Sequence, residues 1–369
     1  MSKRQAGARV LFLAPYPVAD AATRHRILQF FPALREAGLE PTFHSFFPPR
    51  LYAIKNEPGP RLAALKASLL LAACGRRLAE LLSVGRYDML FVHREVFPFF
   101  TPAVERLARR LQPRFVYDFD DAIYTRPTYQ RNWRDWLRDP ARVADVVSLA
   151  SHVIVGSRHL EEYARQHTTA VTRIPTPVDT DRYQPRTSRS PSGDAPVIGW
   201  VGSHSTLPSL QLILPALEIL RSRGHDFRLK VVGARNVHDL DAGRVPVERV
   251  VWTLDQEVAN LQGCDIGVMP LASSPWEDAK CGFKLIQYMA VGLPCVASPV
   301  GENRYIVEHG RSGLLAESAD EWVAALGSLL RDEELRRQMG EVGRQRAEEQ
   351  YSLRALSGDL VRTLRAVLG

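Results

Sequence analysis

The chain has 369 residues, 45% apolar and 24% charged, with 48 basic against 41 acidic side chains and a net charge of +7. This profile excludes collagen, disordered tails and coiled coils, and at roughly 100–200 residues per domain the length points to two domains. No run of about 18 uncharged apolar residues occurs, and the opening MSKRQAGARV lacks the apolar core of a signal peptide. Cys74, Cys264, Cys281 and Cys295 are scattered without C-x-x-C spacing, which argues against disulfides and zinc clusters and for a reducing cytoplasm. The positive balance favours anionic partners, although an arginine-biased genome explains the same skew. No recognition motif for nucleic acid accompanies it.

Strand-like apolar runs fall at 9–14, 41–46, 88–93, 114–119, 152–155 and 171–174. Helical patterns lie between them near 22–37, 61–84, 102–111, 141–150 and 158–166. Such alternation with nearly all-apolar strands implies a parallel sheet covered on both faces. The stretch QPRTSRSPSGDAP, 184–196, has no apolar periodicity and reads as a linker. A second alternation follows, with strands at 197–202, 227–232, 250–252, 265–269 and 294–297 and helices at 209–222, 257–262 and 283–291. Residues 319–350 read as helical, and a final helix fits 353–368. Two doubly wound units place a cleft between two sets of strand ends, where ligands of such sheets bind.

No G-x-G-x-x-G follows the first strand and no G-x-x-x-x-G-K-[ST] occurs, which argues against a dinucleotide dehydrogenase and a P-loop ATPase. Gly202-Ser203-His204-Ser205 leaves a strand for a helix, where backbone amides and hydroxyls can hold an anion. An ordinary strand–helix turn has the same pattern. In EDAKCGFKLIQYMAVGLPCVASPVG, Gly282 precedes a helix opening on Phe283-Lys284 and closing at Val291-Gly292. Lys280 and Lys284 straddle its N-terminus and are two of only six lysines. A cation there opposes the helix dipole, and a bound phosphate would offset that cost. Two solvated loop lysines are the plain alternative.

The block GFKLIQYMAVGLPCVASPVGENRYIVEHGRSGLL resembles the donor site of glycosyltransferase family 4, the retaining GT-B enzymes. VVWTLDQEVANLQGCDIGVMPL resembles the segment leading into it, and GSRHLEEYA with IPTPVDTDRY resembles the end of that family's first domain. The resemblance implies two Rossmann-like domains facing across a cleft: 1–184, a linker at 185–196, a donor domain at 197–350, and a C-terminal helix in 351–369 returning to the first domain. It also implies two donor-site glutamates, which align here with Ala279 and Gln287. Glu277 or Asp278 would then supply a displaced carboxylate to the sugar, with Trp276 anchoring Glu277. Gln287 retains hydrogen-bonding capacity for ribose. Lys280, Lys284 and the Gly202–Ser205 turn would hold the diphosphate, and Gly233, Arg235 and Trp252 would frame the base.

In the first domain, Asp118, Asp120 and Asp121 follow a strand in YDFDD. Hard oxygen ligands at this spacing suit a metal in another glycosyltransferase fold. The GT-B resemblance instead implies a metal-free acid cluster, and pairing with Arg126 or Arg131 is a structural alternative. Arg24, Arg26, His93 and Arg94 are acceptor-side candidates, with Glu95 beside them, and Lys55 reads as ordinary surface. The segment 61–84, with Arg76-Arg77, reads either as a helix on the sheet or as one lying on an anionic membrane. The expected activity is transfer from a nucleotide sugar, with retention, to a glycan, lipid-linked or small-molecule hydroxyl, without a metal or other cofactor, at the cytoplasmic side of a membrane or in the cytoplasm. A nucleotide-sugar epimerase and a non-catalytic binding subunit are the alternatives.

Overall fold

A computed structural model describes residues 7–55, 57, 59–98, 102–125, 140–186, 195–234 and 240–369. The chain divides into two compact units, Met1–Thr176 with Leu356–Gly369, and Pro177–Ala355. The first contains β1 (Ala8–Ala14), β2 (Leu39–Ser45), β3 (Met89–His93), β4 (Phe115–Phe119), β5 (His152–Val155) and β6 (Val171–Arg173). These pair in parallel in the order β2-β1-β3-β4-β5-β6. β3 and β4 are buried along their whole length, including His93 at the end of β3 and Asp118 within β4.

The second unit contains β7 (Val197–Val201), β8 (Arg228–Val232), β9 (Val247–Val250), β10 (Ile266–Met269), β11 (Cys295–Ala297) and β12 (Gly313–Leu315). They too are parallel, in the order β12-β11-β10-β7-β8-β9. Both units are therefore Rossmann-like, and strand order reverses between β1 and β3 in the first and between β7 and β10 in the second. Crevices for ligands open at such reversals.

Several boundaries differ from the sequence expectation for physical reasons. β9 is the polar VERV at a sheet edge, and of the apolar VVW expected as a strand it takes only Val250, leaving Val251 exposed. β12, at the other edge, is too short to show a pattern. The helix expected at 209–222 is broken into Leu207–Leu210 and Leu214–Ser222, with Pro208 and Pro215 in their first turns. Proline lacks the N–H that a continuous helix would need there. The segment 22–37 breaks likewise into Ala21–Arg26 and Phe31–Glu36. The first unit ends at Thr176 rather than 184, because Val178 and Tyr183 are fully buried in the second unit's core. In the last helix, Leu353–Leu368, Arg365 Nη2 donates to Ala37 O at 2.6 Å, within the first unit.

Helix Pro60–Leu82 lies on the first unit with Arg76 and Arg77 turned toward the sheet, not toward a membrane. Arg76 Nη2 donates to Ser45 O and Phe46 O, both at 2.7 Å. Arg77 is fully buried and donates to Ala14 O at 3.2 Å. Among the described residues no helix is long and apolar enough to cross a membrane.

Gly267 in β10 lies under the ring of Tyr288, whose hydroxyl donates to Val268 O at 3.3 Å and accepts from Val201 N at 3.1 Å. A Cβ at 267 would overlap that ring. Gly267→Ala is expected to destabilise the second unit by about 1–3 kcal/mol. Urea unfolding followed by tryptophan fluorescence reads this, and an unchanged midpoint would contradict it.

Candidate functional site

The loop after β10 ends at Gly282, the left-handed N-cap (φ 67°) of helix Phe283–Ala290. A side chain at 282 would overlap Ile306, so glycine serves both the dihedral and the space. Two residues on, Lys284 holds its Nζ 4.5 Å from the ring centre of Trp200, which is fully buried in β7. Burial, with the charge of Lys280 beside it, lowers the Lys284 ammonium to about 7 against the opposing pull of Glu277. Lys280 pairs with Glu277 at 2.5 Å. Two lysines thus share one carboxylate at a helix N-terminus, where the backbone adds positive potential. Such a cluster favours an anion.

The neighbouring loops close around the same strand ends. Gly202 N donates to Val232 O at 3.0 Å, and Gly233 N, at φ 96°, donates to Val250 O at 2.9 Å. A Cβ at Gly233 would stand 2.6 Å from Gly202 O and 3.3 Å from Trp252 Cβ, so Gly202, Gly233 and Trp252 are packed together. Ser203 and Ser205 share a hydroxyl hydrogen bond of 2.7 Å, and His204 is exposed. The turn does not open a long helix as expected. It enters a 3-10 turn, His204–Thr206, and a four-residue helix, so it offers loop amides and hydroxyls rather than a helix N-terminus. Arg235 lies outside the described residues.

Gln287 is buried, and its Nε2 donates to Tyr183 OH at 3.0 Å. Tyr183 donates to Glu257 Oε2 at 2.6 Å, and Trp252 Nε1 donates to Glu257 Oε1 at 3.3 Å. Burial and Glu257 push the Tyr183 hydroxyl well above its usual value. The ribose and base candidates thus meet in one network through two residues the sequence reading missed. In the sequence Glu257 only opens the helix read at 257–262, and Tyr183 only closes the segment IPTPVDTDRY. Glu277 is buried against Lys280 rather than standing free, Asp278 accepts from Ser273 Oγ at 3.4 Å, and Ala279 is fully buried. Asn303, also missed, donates to Ser298 O at 3.0 Å. Its Oδ1 is buried without a hydrogen bond, beside Gly282.

In the first unit the acidic cluster is matched almost charge for charge. Arg26 ion-pairs with Asp118 and donates to Ile174 O at 2.6 Å. His93 Nδ1 lies 2.6 Å from Asp118 Oδ2, while its Nε2 is buried without a hydrogen bond, 3.8 Å from Asp120 Oδ1. Arg94 contacts Asp120 at 2.7 Å and Asp121 at 3.0 Å. Its φ of 63° is the one positive value outside glycine among the described residues. That conformation is held by Arg94 N donating to Asp118 O and Tyr117 OH donating to Arg94 O, both at 2.7 Å. Burial opposes ionisation of Asp120, but Arg94, His93 and Arg26 hold its carboxyl well below the usual carboxylate range.

These contacts correct several expectations. Arg26 is a buried strut rather than an open acceptor ligand, and Arg24 Nη1 holds its own loop at Val18 O and Ala19 O. The aspartates pair with Arg26 and Arg94, while Arg126 and Arg131 lie outside the described residues. Among the described residues no group of three or more His, Cys, Asp and Glu side chains is arranged around a metal position. Glu95 pairs with Arg142. Lys55 is not plain surface: its Nζ lies 3.8 Å from the Tyr52 ring centre and 5.0 Å from that of Tyr16, and burial lowers its ammonium.

Asp118→Asn leaves the buried Arg26 guanidinium without its countercharge. The expected loss is about 3–5 kcal/mol of first-unit stability, read by urea unfolding. A loss near zero would remove this ion pair from the account. For Lys284 the folded pKa of about 7 lies below the unfolded value. The unfolded chain then binds more protons between these two values, so second-unit stability rises with pH through that window. Lys284→Met should flatten the rise; the same slope in both proteins would contradict the burial of this charge.

Two family models match the chain. Residues 25–182 match "Glycosyltransferase Family 4" and residues 195–332 match "Glycosyl transferases group 1". The D-inositol 3-phosphate glycosyltransferase of Corynebacterium urealyticum is 27% identical over 234 residues, 56% of this chain and 54% of that protein. The chain thus spans about half the length of the curated relatives it matches. Sucrose-phosphate synthase from Thermosynechococcus elongatus superposes with a TM-score of 0.71 at 19% identity, covering 97% of this chain and 99% of that one. Anabaena HepE in complex with UDP-glucose gives 0.69 at 16%, covering 97% and 99%. These structures have the GT-B fold, and this chain shares it. With one model on the bulk of each unit and most of the chain covered, the chain belongs to the family 4 group of glycosyltransferases.

Proposed function

We propose that the chain transfers a glycosyl group from a nucleotide sugar to a hydroxyl of a glycan, lipid-linked or small-molecule acceptor, with retention at the anomeric carbon. The observation that carries this reading is Lys284, held over Trp200 at the β7/β10 reversal with Lys280 beside it and one carboxylate between them. Departure of a nucleoside diphosphate leaves two phosphates of growing charge. Preorganised cations and helix amides stabilise that charge without reorganising. Lys284, near neutral when the site is empty, takes up a proton as the diphosphate arrives. Lys280, oriented by Glu277, supplies the second cation. On this reading the reaction needs no divalent metal. HepE binds UDP-glucose, which makes UDP-glucose the first donor to try.

A second reading, nucleotide-sugar binding without transfer, is favoured by one observation. The positions aligned with the family's two glutamates hold a buried alanine, Ala279, and a glutamine tied to Tyr183.

Calorimetric titration with UDP and GDP compares the wild type with Lys284→Ala and with Arg228→Ala, an exposed control at the amino end of β8. Loss of a charge-assisted phosphate contact of about 1.5–3 kcal/mol predicts roughly 10–150-fold weaker binding for Lys284→Ala only. Equal affinity in both variants removes Lys284 from the site. Turnover with EDTA should match turnover with added Mg or Mn, and loss of activity in EDTA would contradict the metal-free reading. Tight binding with no nucleotide release across acceptors of all three classes would favour the second reading.

A further inference from the structure

We propose that the outer faces of helices Pro60–Leu82 and Ala103–Leu111 form one docking surface for an anionic lipid bilayer. The observation begins with helix Pro60–Leu82. Ala73, Arg77 and Leu81 face inward, whereas Ala64, Leu71, Gly75, Leu78 and Leu82 line the opposite side. Leu71 is 75% exposed, Leu78 51% and Leu82 83%. A helix with one apolar side on the sheet and a second apolar side in water carries more apolar surface than its own packing explains.

The surface continues onto a second element. Helix Ala103–Leu111 packs against the first helix and against the turn Val84–Arg86 that ends it. A Cβ at Gly85 would stand 3.9 Å from Leu111 O. The second helix exposes Leu107 and Leu111, interleaved with Arg106 and Arg110, and Arg114 follows. Of these arginines, Arg106 pairs with Asp145 at 2.8 Å. Exposed Arg86 stands in the joining turn.

Charge selects the occupant. Neither helix has an exposed acid: Glu105 is buried, and Glu80 is turned to Arg76, Arg77 and His44. A second copy of this surface would bring arginines against arginines, because a two-fold contact pairs a patch with itself. An anionic bilayer meets both features at once. The leucines enter the headgroup–acyl boundary, and the arginines stay at the phosphates. Arg76 and Arg77, the basic pair within the first helix, take no part, since they bind the sheet carbonyls.

Flotation of the full chain with phosphatidylcholine vesicles, with or without phosphatidylglycerol, tests this. The wild type should float with the anionic vesicles only, and less at high salt. Leu78→Gln/Leu82→Gln should weaken binding by roughly ten-fold per leucine, and Arg110→Gln/Arg114→Gln by roughly five-fold per arginine. The arginine variant lies in solvent and keeps the test decisive if the leucine variant folds poorly. No flotation of the wild type, equal flotation with neutral vesicles, or unchanged binding in both variants would overturn the proposal. A concentration-dependent dimer, seen by light scattering and lost in the leucine variant without vesicle binding, would assign the face to a second copy and overturn it equally. The outcome is independent of whether the chain transfers sugar.

Discussion

The donor-side architecture turns on a lysine held over a tryptophan ring with too little negative charge around it. Lys284 is fixed by its place two residues after Gly282, and Gly282 is required by its left-handed backbone and by Ile306. Trp200 in turn forbids a side chain at Gly202, and Gly202 O forbids one at Gly233. Three glycines from three loops thus let backbone and cation converge on the ends of β7, β8 and β10. Desolvating an ammonium beside a second lysine costs free energy. Such an arrangement stores electrostatic potential at that place, and on the proposed reading an arriving phosphate would release it. If the proposed diphosphate role holds, stability and function pull in opposite directions here.

The first unit shows the contrasting arrangement. Its three aspartates are each answered: Asp118 by Arg26 and His93, Asp120 and Asp121 by Arg94. Buried charges persist when they are paired, and this cluster fixes backbone geometry, including the strained Arg94. The group it leaves unanswered is His93 Nε2. Because Asp118 occupies Nδ1, the imidazole is held in one orientation with its other nitrogen turned to Asp120. Charge matched in one unit and only partly matched in the other, where Lys280 and Lys284 share Glu277, is the contrast on which the proposed ligand role of the lysines rests.

Much of the fold was legible. Apolar runs marked ten of the strands within a residue or two because parallel strands buried on both faces have no polar alternation to hide them. The edge strands β9 and β12 escaped, one being polar and the other only three residues long. Lys280 and Lys284 were legible because lysine occurs only six times in the chain, and Gly282 because it stands just before a helical pattern. Arg26 was not, since a sequence rich in arginine gives no sign of which guanidinium is buried. Nor was the Tyr183–Gln287–Glu257 network, whose members stand far apart in sequence and become partners only through packing. Arg76 and Arg77 left two readings open, a helix on the sheet or one on a membrane, and the structure turns this basic pair to the sheet-side carbonyls.

The account rests on Lys284 being poised near neutrality and on a diphosphate restoring its charge. NMR titration of ¹³C-lysine-labelled protein, with the Lys284 signal identified by its loss in Lys284→Arg, follows this directly. The account predicts a midpoint near 7 in the free protein, rising by more than about one unit when UDP or GDP saturates the site. A free-protein midpoint at the ordinary lysine value of about 10.4, or a midpoint that does not move on saturation, would contradict it.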